Sequence, residues 1–270
     1  MPAFLLGLAV LLYVFSSTTF WKIAALLVVA GPGLYMGVNQ IRNASIDYRI
    51  RQNALGRGYF SGSTLKSLGA AVVERDLAAL QRLGPSVDLN TVGERGMTLM
   101  GLAAEQIREA ATPERAASGL LVVQALLKLG AKPDAALDTA MTMADPELLA
   151  TLLAAGADPN QLEDGQPVIF ARLSTLPVAN LRLLIEHGLN VDIMSRQSPL
   201  AFDTAQKRRW DLVALLAEHH ANLLVPRSDG RTVAQEVAAG MAEAATTGVP
   251  APELLQVQSA LQVREPVQVD

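Results

Sequence analysis

The residues best suited by type to hold a metal are His187, His219 and His220. His187 and His219 stand 32 residues apart, with His220 adjacent to the second. Zinc needs three or four ligands converging on one point. Two imidazoles one sequence period apart, and a neighbour pointing elsewhere, do not converge. A histidine at the polar end of a helix also suits the negative pole of the helix dipole without any metal. The densest basic cluster is Lys207-Arg208-Arg209-Trp210. Arginines beside tryptophan make a contact point for an acidic partner. The same residues also read as a solvated loop between two helices, with Trp210 turned partly inward. Nucleic acid is disfavoured by the net charge of −4.

Other chemistry finds no footing. There is no cysteine, hence no thiolate nucleophile or thiolate metal site. No G-x-S-x-G occurs, and no serine is brought together with a histidine and an aspartate. Glu163-Asp164 lies on a solvated turn and does not suggest a buried carboxylate pair. Gly56-Arg-Gly58-Tyr-Phe-Ser-Gly62-Ser63 has neither of the glycine spacings that cradle phosphate. The expectation is a protein with no catalytic residue, no cofactor and no metal.

The elements that carry these side chains repeat. Leu126-Leu127-Lys-Leu-Gly130-Ala131-Lys-Pro-Asp134 is echoed by Leu152-Leu153-Ala-Ala-Gly156-Ala157-Asp158-Pro159-Asn160. It returns as Leu184-Ile185-Glu-His-Gly188-Leu-Asn-Val-Asp192 and as Leu216-Ala217-Glu-His-His220-Ala221-Asn222. An earlier copy is Leu80-Gln-Arg-Leu-Gly84, followed by Val87-Asp88-Leu-Asn90. Gly156 to Gly188 and Gly188 to His220 are both steps of 32 residues. A period of this size means stacked supersecondary units. In each copy a leucine pair ends an amphipathic helix, glycine closes it in the left-handed conformation, and Asp or Asn shapes the following turn. Before each helix pair stands an opening segment: Gly96-Met-Thr98, Asp164-Gly165-Gln-Pro167, Ser198-Pro199-Leu200 or Asp229-Gly230-Arg-Thr232. Thr or Ser before Pro-Leu reads as a capped helix start with proline at the first helical position. Thr112-Pro113-Glu114 and Asp145-Pro146-Glu147 read the same way.

These motifs resemble the ankyrin repeat, which opens D-x-x-G-x-T-P-L-H-x-A and closes L-L-x-x-G-A-x-x-N. The resemblance covers Leu65 to Ala242 in about five units, the first and last acting as caps. No unit keeps the motif's histidine; Gly101, Phe170, Ala201 and Gln235 stand there. Gly84 to Gly130 is 46 residues, which points to an insertion over Arg108–Ala117 as a charged surface excursion. Gly130 to Gly156 is only 26, so that unit loses most of its hairpin and part of its first helix. The fold class expected is all-α: an irregular ankyrin-repeat solenoid behind an N-terminal transmembrane helical hairpin.

That hairpin is read from residues 1–41, where Lys22 is the single charged side chain. Two apolar runs, Pro2–Phe15 and Phe20–Val38, flank Ser16-Ser17-Thr18-Thr19. One straight helix through both would measure about 55 Å, well beyond the ~30 Å hydrocarbon core. Two crossings, one span with an interfacial segment, or a cleaved signal peptide are the alternatives. The last is disfavoured because no basic residue precedes the run. Arg42, Arg49, Arg51, Arg57 and Lys66 follow the second run and mark the cytoplasmic side. Arginine in excess over lysine and abundant alanine are associated with GC-rich bacteria. The expected location is a bacterial inner membrane with the ankyrin domain cytoplasmic. The expected domains are a membrane anchor (1–41), a linker (42–64), the repeats (65–242) and a C-terminal tail (243–270). Within the tail Gly240–Pro252 reads as a break, Glu253–Val263 as one more short helix and the last residues as disordered.

Ankyrin resemblance implies protein recognition through the concave face of hairpin tips and inner helices. The residues expected to meet the partner are Asp164, Gln166, Arg196, Gln197, Arg227, Asp229 and Arg231 on the turns, with Arg208, Arg209 and Trp210 on the basic cluster. The function expected is a membrane-tethered adaptor for an unidentified protein partner, with the lipid bilayer as second partner. The alternative is a subunit of a membrane complex whose apolar hairpin is the main interface. Gly7, Ala9, Ala24, Ala25 and Gly31 would let helices approach closely there.

Overall fold

The computed structural model describes residues 51–248 and 251–264. The apolar leader expected as a membrane anchor and the final segment expected to be disordered lie outside these residues. Among the described residues no helix is long and apolar enough to cross a membrane. The chain divides into two units, Met1–Tyr59 and Phe60–Asp270, and the second contains the repeats.

Six helix pairs follow one another there, counted among the described residues. They are α1 (Ser63–Glu74) with α2 (Leu77–Leu83), α3 (Leu99–Arg108) with α4 (Pro113–Lys128), and α5 (Leu137–Met141) with α6 (Glu147–Ala154). Then come α7 (Ile169–Arg172) with α8 (Val178–Glu186), α9 (Leu200–Gln206) with α10 (Trp210–Glu218), and α11 (Val233–Thr247) with α12 (Pro252–Arg264). First helices pack on first helices, as α1 on α3 and α3 on α5, while second helices pack on second helices, as α6 on α8 and α8 on α10. Two antiparallel hairpins precede the fourth and fifth pairs: β1 (Leu162–Glu163) with β2 (Gln166–Pro167), and β3 (Met194–Ser195) with β4 (Ser198–Pro199). Both central residues of each turn have positive φ, Asp164 and Gly165 in one and Arg196 and Gln197 in the other. That is the turn whose twist matches a two-residue hairpin.

The closing motif works as its chemistry requires. Gly130, Gly156 and Gly188 sit at φ 93, 92 and 93°, and His220 takes the equivalent place at φ 65°. The residue after each, Ala131, Ala157, Leu189 or Ala221, is buried and returns its N–H to a carbonyl of the last helical turn at 2.9–3.0 Å. Gly84 departs from the pattern. Its backbone is right-handed, and a Cβ there would come within 2.9 Å of Leu129 Cδ1. Close packing, and not a left-handed turn, needs that glycine.

The side chains after the closing residue stitch the stack together. In four of the five closing turns the Asp or Asn just after the buried position or its equivalent folds back on its own chain, the exception being the turn with Lys132. Asp88, Asp158, Asn190 and Asn222 each accept the N–H two residues on, at 2.8–3.1 Å. The Asx two residues further on reaches forward. Asn90 accepts the Lys132 N–H at 2.7 Å, Asp134 that of Asp158 at 2.8 Å, Asn160 that of Asn190 at 2.8 Å and Asp192 that of Asn222 at 2.6 Å. Asn90 and Asn160 also donate to the Gly130 and Gly188 carbonyls, at 3.3 and 3.0 Å. Five successive turns are thus joined by one hydrogen-bonded ladder.

Irregular units are repaired by their neighbours. The third unit has a 3-10 turn, Pro133–Ala136, where others have a hairpin, and α5 has only five residues. Its orphan carbonyls are met by Asn180, fully buried on α8, whose Nδ2 donates to Met141 and Met143 oxygens at 2.9 and 2.8 Å. Asp138 on α5 also pairs bidentately with Arg172 on α7, which pushes the guanidinium pKa up. The fourth unit's α7 has four residues and is completed from the fifth unit by Arg209.

Three expectations are corrected here. The residues over Arg108–Ala117 are not a charged loop: α3 runs to Arg108 and α4 begins at Pro113, capped by Thr112 Oγ1 on the Arg115 N–H at 3.3 Å. The additional residues lengthen α4 to sixteen, because alanine-rich sequence with a Thr-Pro-Glu start prefers helix. Pro199 is not at the first helical position but precedes α9 with an extended backbone, and Ser198 donates to Asp203 instead of capping. Gly240 is not a break; it lies inside α11, where a Cβ would meet Trp210 Cζ2 at 2.8 Å. The break comes at Gly248, φ 110°. Beyond it the stack continues past the last motif copy, as Leu254, Val257 and Leu261 are buried on α12, which packs on α10 and α11.

The ladder makes a specific demand. Asn160→Ala removes the acceptor for one amide and the donor for one carbonyl, and should cost about 1–2 kcal/mol. Denaturant unfolding measures the loss, and faster hydrogen exchange at the Asn190 amide localises it.

Candidate partner-binding surface

The two hairpins, the first helices of repeats four and five and the turn before the sixth repeat's first helix bound a groove of about 430 Å³. Glu163, Gln166, Ser195 and Arg196 come from the hairpins, Phe170, Ala171, Asp203 and Gln206 from α7 and α9, and Arg227 from the turn before α11. The local reason is that the first strand and the turn of each hairpin stand out from the stack while the second strand turns in toward the helix that follows. Pro167 and Ser198 are buried, while Glu163 and Arg196 are exposed.

Two bonds hold the groove in shape. Ser195 Oγ donates to Gln166 Oε1, tying one hairpin to the next. Ser198 Oγ donates to Asp203, fixing that carboxylate beside the groove. At the far end Arg227 and Arg231 lie over the ring of buried Phe202, at 5.8 and 5.4 Å from its centroid. Asp229 bridges the two cations, 3.9 Å from Arg227 and 2.9 Å from Arg231. The Arg231 backbone N–H, bonded to Asp229 at 3.1 Å, is the main reason this carboxyl stays below its ordinary range.

The residues expected to meet a partner fall into two groups. Asp164, Arg196, Gln197, Asp229 and Arg231 are exposed at turn tips, and Gln166 and Arg227 line the groove half-buried. Arg208, Arg209 and Trp210 are instead occupied within the chain. Arg208 bonds Glu236 at 2.9 Å and Glu243 at 3.3 Å. Arg209 donates to the Leu173 and Leu176 carbonyls at 2.9 and 2.7 Å and pairs with Asp211 at 2.7 Å. Trp210 is 8% exposed, in the space that Gly240 leaves. A basic cluster in sequence is here a clamp between repeats, because the truncated α7 leaves carbonyls that need donors.

The histidines stay apart in role. His187 Nδ1 lies 2.9 Å from its own helix's Leu183 oxygen, His219 ends α10, and His220 takes the left-handed position. Among the described residues no three metal-ligating side chains converge.

Sequence reasoning missed Glu163, Phe170, Ala171, Ser195, Asp203 and Gln206 as groove residues. The signal was present in the period: Glu163 and Ser195, Gln166 and Ser198, and Ala171 and Asp203 each differ by 32. Nothing in the sequence marked Asn180, whose role depends on a helix being short.

Neither a family model nor a curated protein matches the sequence. Among solved structures the chain is similar to the crystal structure of EF0377, an ankyrin repeat protein, with 18% identity and a TM-score of 0.52. The match covers 75% of this chain and 98% of that one. With the helix pairs, the hairpins and the closing turns, it defines the fold as an ankyrin-repeat stack.

Two substitutions test this division. Arg209→Ala strips donors from two carbonyls of buried residues and should cost about 2–4 kcal/mol in denaturant unfolding. Gln197→Gly relieves a left-handed backbone in an exposed side chain (φ 62°) and should gain about 0.5–1 kcal/mol in the same measurement.

Proposed function

We propose that this chain is a membrane-tethered recognition protein that holds a protein partner against the hairpin face of repeats four to six and does no chemistry on it. The observation that carries the reading is the groove itself: an open, polar-rimmed recess on a rigid scaffold, with exposed charges at the tips. Binding residues on turns held by packed helices is the way such scaffolds recognise partners. The neighbour of similar fold is titled an ankyrin repeat protein, and stacked repeats generally work through extended recognition surfaces.

The tether is supported by residues 1–41, with one charge among them, and the side of the membrane by the arginines that follow. On this reading the partner is held at the cytoplasmic face of a bacterial inner membrane. Tethering raises the local concentration of whatever is bound.

A photo-crosslinking residue at Gln197 in the full chain, in native membranes, should give a discrete adduct. One at Leu121, exposed on the outer face of α4, should not. Asp164→Asn with Arg196→Ala should reduce the adduct about tenfold with the thermal midpoint unchanged. Equal adducts from both positions, or indifference to the replacements, would place the binding face elsewhere. Recovery of the intact chain from the soluble fraction after alkaline extraction would remove the tether.

A further inference from the structure

We infer that the groove takes an extended partner segment in which a basic residue and an acidic residue, two to four positions apart, flank an apolar one. This rests on the groove being the binding face and goes on to name what fits it.

Charge is distributed along the groove with a polarity. At the fourth repeat the rim carries Glu163 and, at the adjoining tip, Asp164, both exposed. At the fifth and sixth repeats the rim carries Arg196 and Arg227, while the carboxylate on the wall below them, Asp203, accepts the Ser198 hydroxyl. Glu163, Asp164 and Arg196 form no salt bridge among the described residues. The cation that acts on Glu163, Arg172, is itself tied to Asp138. Arg227 lies over Phe202 and shares Asp229 with Arg231, at 3.9 and 2.9 Å, so Arg196 is the rim cation with no salt bridge among the described residues. Glu163 and Asp164 on one side and Arg196 on the other, opposite charges facing one recess, are the complement of a partner with the reverse arrangement.

The floor between them is partly apolar. Phe170 is half-exposed there, beside exposed Ala171, with buried Pro167 and Val168 beneath. An apolar side chain seated between the two charges covers that surface.

Spacing fits an extended backbone. Packed helices of successive repeats lie about 8–10 Å apart, and a strand rises about 3.3 Å per residue. One repeat step therefore corresponds to roughly three residues. Alternating side-chain direction moves the matching positions to two or four, and the long Glu and Arg side chains span the difference.

Random peptides of about ten residues displayed on phage, selected against the full-length chain in detergent micelles, test this directly. The enriched peptides should pair Lys or Arg with Asp or Glu around an apolar residue. A synthetic peptide of that pattern should bind about tenfold more weakly to Glu163→Lys and to Arg196→Glu. The double variant should recover binding to the peptide with its charges exchanged. Ala171→Trp blocks the recess from an exposed position and should abolish binding. Thermal midpoints of these surface variants check that each is folded. Peptides lost on Ala171→Trp but indifferent to both charge reversals would overturn the charge pattern and leave the groove as binding face. Failure to enrich any peptide, or peptides indifferent to Ala171→Trp as well, would overturn the groove reading with it.

Discussion

The stack depends on satisfying backbone groups across repeat boundaries. Each unit is too small to bury its own apolar face, so neighbours must register within a fraction of an ångström. Leucine packing supplies affinity between units but little direction. Direction comes from the Asx ladder, in which every second side chain accepts an amide of the following repeat. Because both ends of each bond lie in tight turns, a slip of one residue would break the whole row. The hairpins stand on those turns, so the groove inherits its geometry from the ladder.

The departures from an ideal repeat obey the same rule. A shortened helix leaves carbonyls without partners, and burying them unpaired is costly. Asn180 serves the third unit and Arg209 the fourth, each from the unit that follows. This explains why Arg209 of the dense basic cluster is directed inward while Lys207 and Arg208 stay exposed. It also separates the two kinds of arginine in this molecule: those that complete a backbone, as Arg209 does, and those left at a rim, as Arg196 is.

Much of the architecture was legible in the sequence because it is written locally. The closing glycines, the 32-residue step and the Thr98, Thr112 and Thr232 caps each follow from neighbouring residues, and the structure places them accordingly. Thr232 completes a reciprocal pair with Gln235. The hairpin-tip residues of the candidate site were legible for the same reason. What was not legible depends on distance along the chain. Gly240 reads as a breaker until Trp210 is seen against it, and Gly84 reads as a left-handed closure until Leu129 is seen beside it. Asn180 looks like an ordinary helical residue because its partners are about forty positions away. Arg108–Ala117 was misread because a length excess was assigned to a loop, although its composition favours helix.

The borrowing of caps from later repeats also bears on biosynthesis. The third unit cannot finish its first helix when its own residues leave the ribosome, since the amide that closes it belongs to Asn180, forty residues behind Ala140. At roughly 5–20 residues per second that is a delay of a few seconds. During it the leucines of α6 have no settled neighbour on one side. The third unit thus gains its last cap only once Asn180 has emerged, and until then its terminal carbonyls bond water.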